Sequence, residues 1–78
     1  MTNDIKPGDI VYQYDTSFIA LLYREMYAAP KRSSVGTIAR SAACLVIATK
    51  EFDVGDQVLI ITDGRMGWAW ASYFKVIS

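Results

Sequence analysis

Apolar and polar residues alternate clearly toward both ends of this chain and blur in the middle. In "DIVYQYD", Ile10, Tyr12 and Tyr14 fall on one face and Val11 and Gln13 on the other. That period of two, in β-branched and aromatic residues, predicts a strand. Pro7-Gly8-Asp9 just before it predicts a turn. The run "SAACLVIATKE" is almost unbroken in apolar residues from Ala42 to Lys50, the pattern of a strand that is central or covered on both faces. "FDVGDQ" reads as a connector with a Gly-Asp turn, and "QVLIITD" as the next strand. Asp63-Gly64 supplies the positive-φ residues of a tight hairpin turn into "GWAWAS". "YFK" predicts a short helical turn before a last strand, "VIS".

The stretch from Thr16 to Arg40 carries two patterns at once. "SFIALLYREMYAA" contains good helix formers, with Phe18, Leu21, Leu22 and Met26 on a helical stripe, and Pro30 would stop a helix there. The same letters also suit an irregular, partly extended hairpin. The expectation is a long excursion over residues 16–40 with one or two helical turns, and "PKRSSVG" as an exposed loop. Five short strands with one tight turn and little helix predict a small antiparallel barrel, a single domain over residues 1–78.

Period two also decides what the aromatic ending does. Trp68 and Trp70 leave one face of their strand, and Ala69 and Ala71 the other. If the alanines pack inward, both tryptophans lie outward and need cover from the excursion or from a partner. The competing reading makes one of them plain core, because aromatics dominate small cores.

Composition narrows the chemistry. The chain has 78 residues, 53% of them hydrophobic, enough for one small core and too apolar for disorder. Eight Lys and Arg balance eight Asp and Glu, so no net field attracts nucleic acid or an anionic membrane. The longest apolar-rich stretch, "FIALLY", is too short to span a membrane, and "MTNDIKPGD" has no apolar signal-peptide core. The lone cysteine, Cys44, sits among Ala43, Leu45 and Val46 and reads as a small buried hydrophobe in a reducing cytosol. There is no histidine, which removes His-based triads and most transition-metal sites. Asp53 with Asp56 reads as a solvated turn, Ser33-Ser34 beside Lys31 as a polar loop, and Gly64-Arg65-Met66-Gly67 as a hairpin rather than a backbone-clamping GxxG loop. No catalytic residue, metal or cofactor is expected. Residues 24–40 hold Arg24, Lys31, Arg32 and Arg40 against Glu25, a local charge of +3, while both flanking segments are slightly acidic.

These same motifs resemble the Src-homology-3 (SH3) family. "VYQYD" is similar to the "ALYDY" opening of those domains. "DGRMGWAWASYFKVI" is similar to their closing G-R-x-G-Y-I-P-S-N-Y-V, with Gly64, Arg65, Gly67, Trp68, Ser72 and Tyr73 following its rhythm. "KPGDIV" resembles the opening of many small SH3-like barrels, and the ending looks like one that recurs in short bacteriophage proteins. About half the chain is covered. The resemblance implies an all-β, five-stranded SH3-like antiparallel barrel with the excursion after its first strand. It also implies a groove for polyproline helices lined by Tyr12 or Tyr14 together with Tyr73. Three features depart from it. Trp70 replaces the groove proline, and Gln57 and Val58 stand where a groove tryptophan is expected. The excursion is basic where the family's first long loop is acidic.

The functional expectation is a non-enzymatic, phage-encoded interaction module in the host cytoplasm. It would bind a host or virion protein through Tyr12, Tyr14, Arg24, Lys31, Arg32, Arg40, Trp68, Trp70 and Tyr73. The alternative is a nucleic-acid-binding barrel using the same basic excursion and aromatic platform. Self-association through "FIALLYREMY" is a further possibility, and no membrane partner is expected.

Overall fold

A computed structural model describes residues 5–14, 19–27, 29–39 and 42–77. It is all-β and antiparallel. The strands are β1 (Ile10–Gln13), β2 (Leu21–Tyr23), β3 (Ser34–Thr37), β4 (Cys44–Phe52), β5 (Gly55–Thr62), β6 (Arg65–Trp70) and β7 (Phe74–Val76). They form one open sheet of seven in the order β3-β2-β6-β5-β4-β1-β7. A short 3-10 turn, Ala71–Tyr73, links β6 to β7.

The turn chemistry places the strands as the sequence predicts at two turns, but the expected Gly55-Asp56 turn falls at Asp53-Val54, with Gly55 and Asp56 paired in β5. Lys6 to Asp9 form a turn in which the Asp9 amide donates to the Lys6 carbonyl, with Gly8 at φ 96°. Proline followed by a positive-φ glycine is what such a turn requires. Asp63 and Gly64 both take positive φ, 50° and 73°, between β5 and β6. The five expected strands correspond to β1, β4, β5, β6 and β7. The helical turn falls earlier than "YFK", and the last strand begins at Phe74 rather than Val76.

The excursion differs from its expectation. No α-helix occurs among its described residues. Instead β2 and β3 form a hairpin that adds two strands, so the sheet has seven rather than five. Of the predicted helical stripe, Leu22 is fully buried while Leu21 and Met26 are partly exposed, and Phe18 lies outside the described residues. Part of "PKRSSVG", expected as loop, is β3. The physical reason is pairing. Tyr23 sits opposite Trp68, so β2 completes the free edge of β6, and tertiary pairing overrides a weak helix preference.

One face of the sheet closes over the core: Val11, Leu22, Cys44, Val46, Val58, Ile60, Ala69 and Phe74, with Ala20, Ile38 and Ala71 at its margins. In β6 the inward positions are Gly67 and Ala69, continued by Ala71 in the 3-10 turn, and all three are buried. β4 is central, between β5 and β1, as expected, but it is not covered on both faces. Its inward Cys44 and Val46 are buried, while Leu45 and Ile47 remain 41% and 39% exposed. Cys44 is a buried thiol. Burial pushes its pKa up, and a hydrogen bond with Thr62 partly offsets this. The thiol donates weakly to the Ala42 carbonyl, in keeping with a packing role.

The closest inward approach is at Gly67. A Cβ there would stand 2.9 Å from Leu22 Cβ, 3.1 Å from the Tyr23 carbonyl oxygen and 3.2 Å from Val35 Cγ2. None of these is the far end of a flexible side chain. Gly67→Ala is therefore expected to destabilise the fold by about 1–3 kcal/mol, measured by urea unfolding. An unchanged midpoint would mean that β2 does not lie this close to β6.

Candidate functional site

The outward face of β6 and β5 carries the aromatic residues. Across the β5–β6 ladder Trp70 pairs with Gln57, Trp68 with Leu59 and Met66 with Ile61. Paired residues share a face. With the alanines inward, both tryptophans point outward and are half-buried. The excursion covers them. Tyr23 sits opposite Trp68. Tyr27 lies with its ring centre 4.9 Å from that of Trp70 and 5.7 Å from that of Phe52.

Gln57 locks this cover in place. It is fully buried although it lies on the outward face, beneath the excursion. Its Oε1 accepts the backbone N–H of Tyr27 at 2.9 Å. Its Nε2 is buried with no hydrogen-bond partner. Leaving that donor unsatisfied costs about 1–3 kcal/mol. The Tyr27 bond and the aromatic contacts, worth about 0.5–1.5 kcal/mol a pair beyond their buried area, offset it.

Beside this cover is a cavity of about 160 Å³. Ile19, Leu21 and Tyr23 alternate along the β2 segment and form one wall. Ala69 and Trp70 of β6, Tyr73 of the 3-10 turn, and Arg32 complete it. The Arg32 guanidinium carbon stands 3.9 Å from the centre of the Tyr23 ring and 5.9 Å from that of Tyr27. Stacking of this kind contributes about 0.5–2 kcal/mol, depending on desolvation. Arg32 Nε is buried and has no hydrogen-bond partner.

The predicted site residues divide accordingly. Arg32, Trp70 and Tyr73 meet in the cavity. Trp68 is next to it in register through Tyr23 but does not line it. Tyr12 is half-buried opposite Lys75 on the β1–β7 pair, away from the cavity wall. Tyr14 is exposed. Its amide donates to the Tyr73 carbonyl at 3.3 Å, and its ring takes the Lys75 ammonium at 4.9 Å. The tyrosine face expected to grip a ligand is thus engaged by the chain's own lysine. Arg24 and Lys31 are exposed on the β2–β3 connection, and Arg40 lies outside the described residues. Tyr23, Ile19 and Leu21 were absent from the expected set. Their signal is the period-two spacing at 19, 21 and 23, hidden beneath the helical reading.

The remaining candidates agree with the sequence reading only in part. Asp53 is an exposed turn residue, but Asp56 belongs to β5 opposite Glu51 and Ser34 to β3, because the hairpin ladders extend further than the polar letters suggest. The Ser34 hydroxyl accepts the Gly36 amide at 3.3 Å. Among the described residues no cluster of three or more Cys, Asp or Glu is placed to hold a metal ion, and no helix is long and apolar enough to cross a membrane. Comparison with protein-family models, with curated proteins and with solved structures found no match to this chain.

The Gln57 lock is testable by hydrogen exchange. Gln57→Leu removes the acceptor for the Tyr27 amide and the orphan donor together. Global stability should then change by no more than about 1 kcal/mol. Exchange of the Tyr27 amide should accelerate about tenfold or more as the local cover opens. Unchanged exchange at Tyr27 would show that another contact holds the excursion down.

Proposed function

We propose that this chain is a non-enzymatic protein-interaction module of SH3-like type that holds a partner protein at the cavity between β2, β6 and the 3-10 turn. The observation that carries this reading is the convergence of Tyr23, Trp70 and Tyr73 on one small concavity with the Arg32 guanidinium at its wall. Rigid aromatic walls with one arginine are the residue types that dominate binding energy at protein interfaces. At about 160 Å³ the cavity is smaller than the roughly 300–1,000 Å³ that enclose cofactors or drug-sized ligands. It suits one side chain of a docked segment.

Two features support the SH3-like reading. Without the excursion's hairpin, β1, β4, β5, β6 and β7 remain as five consecutive antiparallel strands. The excursion follows the first of them, as the sequence resemblance implies. The bacteriophage origin, with a host or virion protein as partner, rests on the likeness of the chain's ending alone. The groove differs from one for polyproline, because Tyr12 and Tyr14 stand outside the cavity and the excursion supplies Tyr23 and Arg32 instead.

The test is affinity capture with the tagged chain from bacterial lysate, with and without nuclease, against the Trp70→Ala variant shown to be folded by its amide spectrum. The expected result is a protein that survives nuclease and is captured at least tenfold less by Trp70→Ala. Capture that nuclease abolishes, with Trp70→Ala equal to the parent, would transfer the function to nucleic acid and refute this reading.

A further inference from the structure

We infer that the Arg32 cavity takes an acidic peptide segment, one apolar side chain in the cavity and the carboxylate of a neighbouring Asp or Glu on the guanidinium. This rests on the interaction-module reading above and adds the chemistry of the partner.

Three observations carry it. First, apart from Arg32 the residues that line the cavity are aliphatic or aromatic, with the tyrosines adding polar groups, and its volume of about 160 Å³ is that of a single side chain rather than a cofactor. Second, Arg32 is held against an aromatic face and one of its donors has no acceptor. The guanidinium carbon stands 3.9 Å from the centre of the Tyr23 ring, and Nε is buried without a hydrogen-bond partner. A planar fork of donors fixed in this way suits a carboxylate, which it binds through paired hydrogen bonds. Third, the nearest acidic group in sequence is already engaged. The Glu25 carboxylate accepts the Ser33 backbone N–H, which ties the two arms of the β2–β3 connection together. Arg24 and Lys31 stand exposed on that same connection, which therefore carries more positive than negative charge.

Among the described residues, the carboxylates of the β4–β5 hairpin do not pair with Arg32. Glu51, Asp53 and Asp56 belong to the β4–β5 hairpin, where Phe52 meets Tyr27, and none forms an ion pair with Arg32 among the described residues. Nucleic acid fits less well. A phosphate backbone is followed by a row of cations, whereas this cavity is lined by one guanidinium and acidic segments flank the excursion on either side.

The experiment is a titration of the isotopically labelled full chain, followed by its Trp indole and backbone amide resonances. The probes are the blocked dipeptide N-acetyl-Leu-Glu-amide, its Leu-Gln counterpart, and a decamer of deoxythymidylate. Leu-Glu is expected to shift the Trp70 indole and the amides of Tyr23, Arg32 and Tyr73, and to bind about tenfold more tightly than Leu-Gln. That preference should disappear in Arg32→Gln and be reduced in Arg32→Lys, which keeps the charge and loses the fork. The Leu-Glu against Leu-Gln comparison on the parent chain decides the matter even if an Arg32 variant fails to fold. Equal binding of the two dipeptides would overturn the acidic-segment inference and leave the interaction-module reading standing. Binding of the thymidylate decamer, steeply weakened by salt, with no shift from either dipeptide, would overturn both.

Discussion

The inward face of β6 has room for almost nothing. Gly67 lies under Leu22 and Val35, and Ala69 and Ala71 continue the same line into the 3-10 turn, all of them buried. Because side chains alternate along a strand, this shortage of inner space forces Trp68 and Trp70 to the outer face. Two half-buried tryptophans there require a cover. The excursion provides it, with Tyr23 opposite Trp68 and Tyr27 against Trp70 and Phe52. The seven-stranded sheet, the buried Gln57 and the cavity all follow from that one steric constraint.

The cover is also what creates the site. In closing over Trp70 the excursion brings Tyr23, Ile19 and Leu21 toward Tyr73, and it carries Arg32 onto the Tyr23 ring. Stability and the proposed binding draw on the same residues. Among the described residues, the outer layer contains two buried donors without acceptors, Arg32 Nε and Gln57 Nε2. The fold accommodates these costs through aromatic contacts and the Tyr27–Gln57 bond.

The parts of the fold legible in the sequence are those where local chemistry and pairing agree. Lys6-Pro7-Gly8-Asp9 and Asp63-Gly64 prescribe their turns, and the alternating letters of β1 and β6 correctly group Val11 with Gln13 and Ala69 with Ala71 on one face each, while which face is inward came only from the structure. The excursion was not legible for the opposite reason. "FIALLYREMY" offers a helical stripe at 18, 21, 22 and 26 and a strand stripe at 19, 21 and 23, and only the long-range pairing of Tyr23 with Trp68 decides between them. The candidate site shows the same division. Trp70, Tyr73 and Arg32 are chemically conspicuous and do converge. Tyr14 is equally conspicuous, yet Lys75, distant in sequence, takes its ring. Cys44 and Val46 read correctly as core, but Leu45 and Ile47 appear in the sequence as equally buried because an unbroken apolar run does not say which face lacks a covering layer.

The most direct test of the outward tryptophans is a nuclear Overhauser measurement on the isolated chain. The account predicts cross-peaks from the Trp70 indole to the Tyr27 ring, together with contacts between the Ala69 methyl and the side chains of Val58 and Leu22. Cross-peaks from the Trp70 indole to Val58 and Ile60, with none to Tyr27, would contradict it. They would mean that the tryptophan fills the core and that the excursion covers nothing.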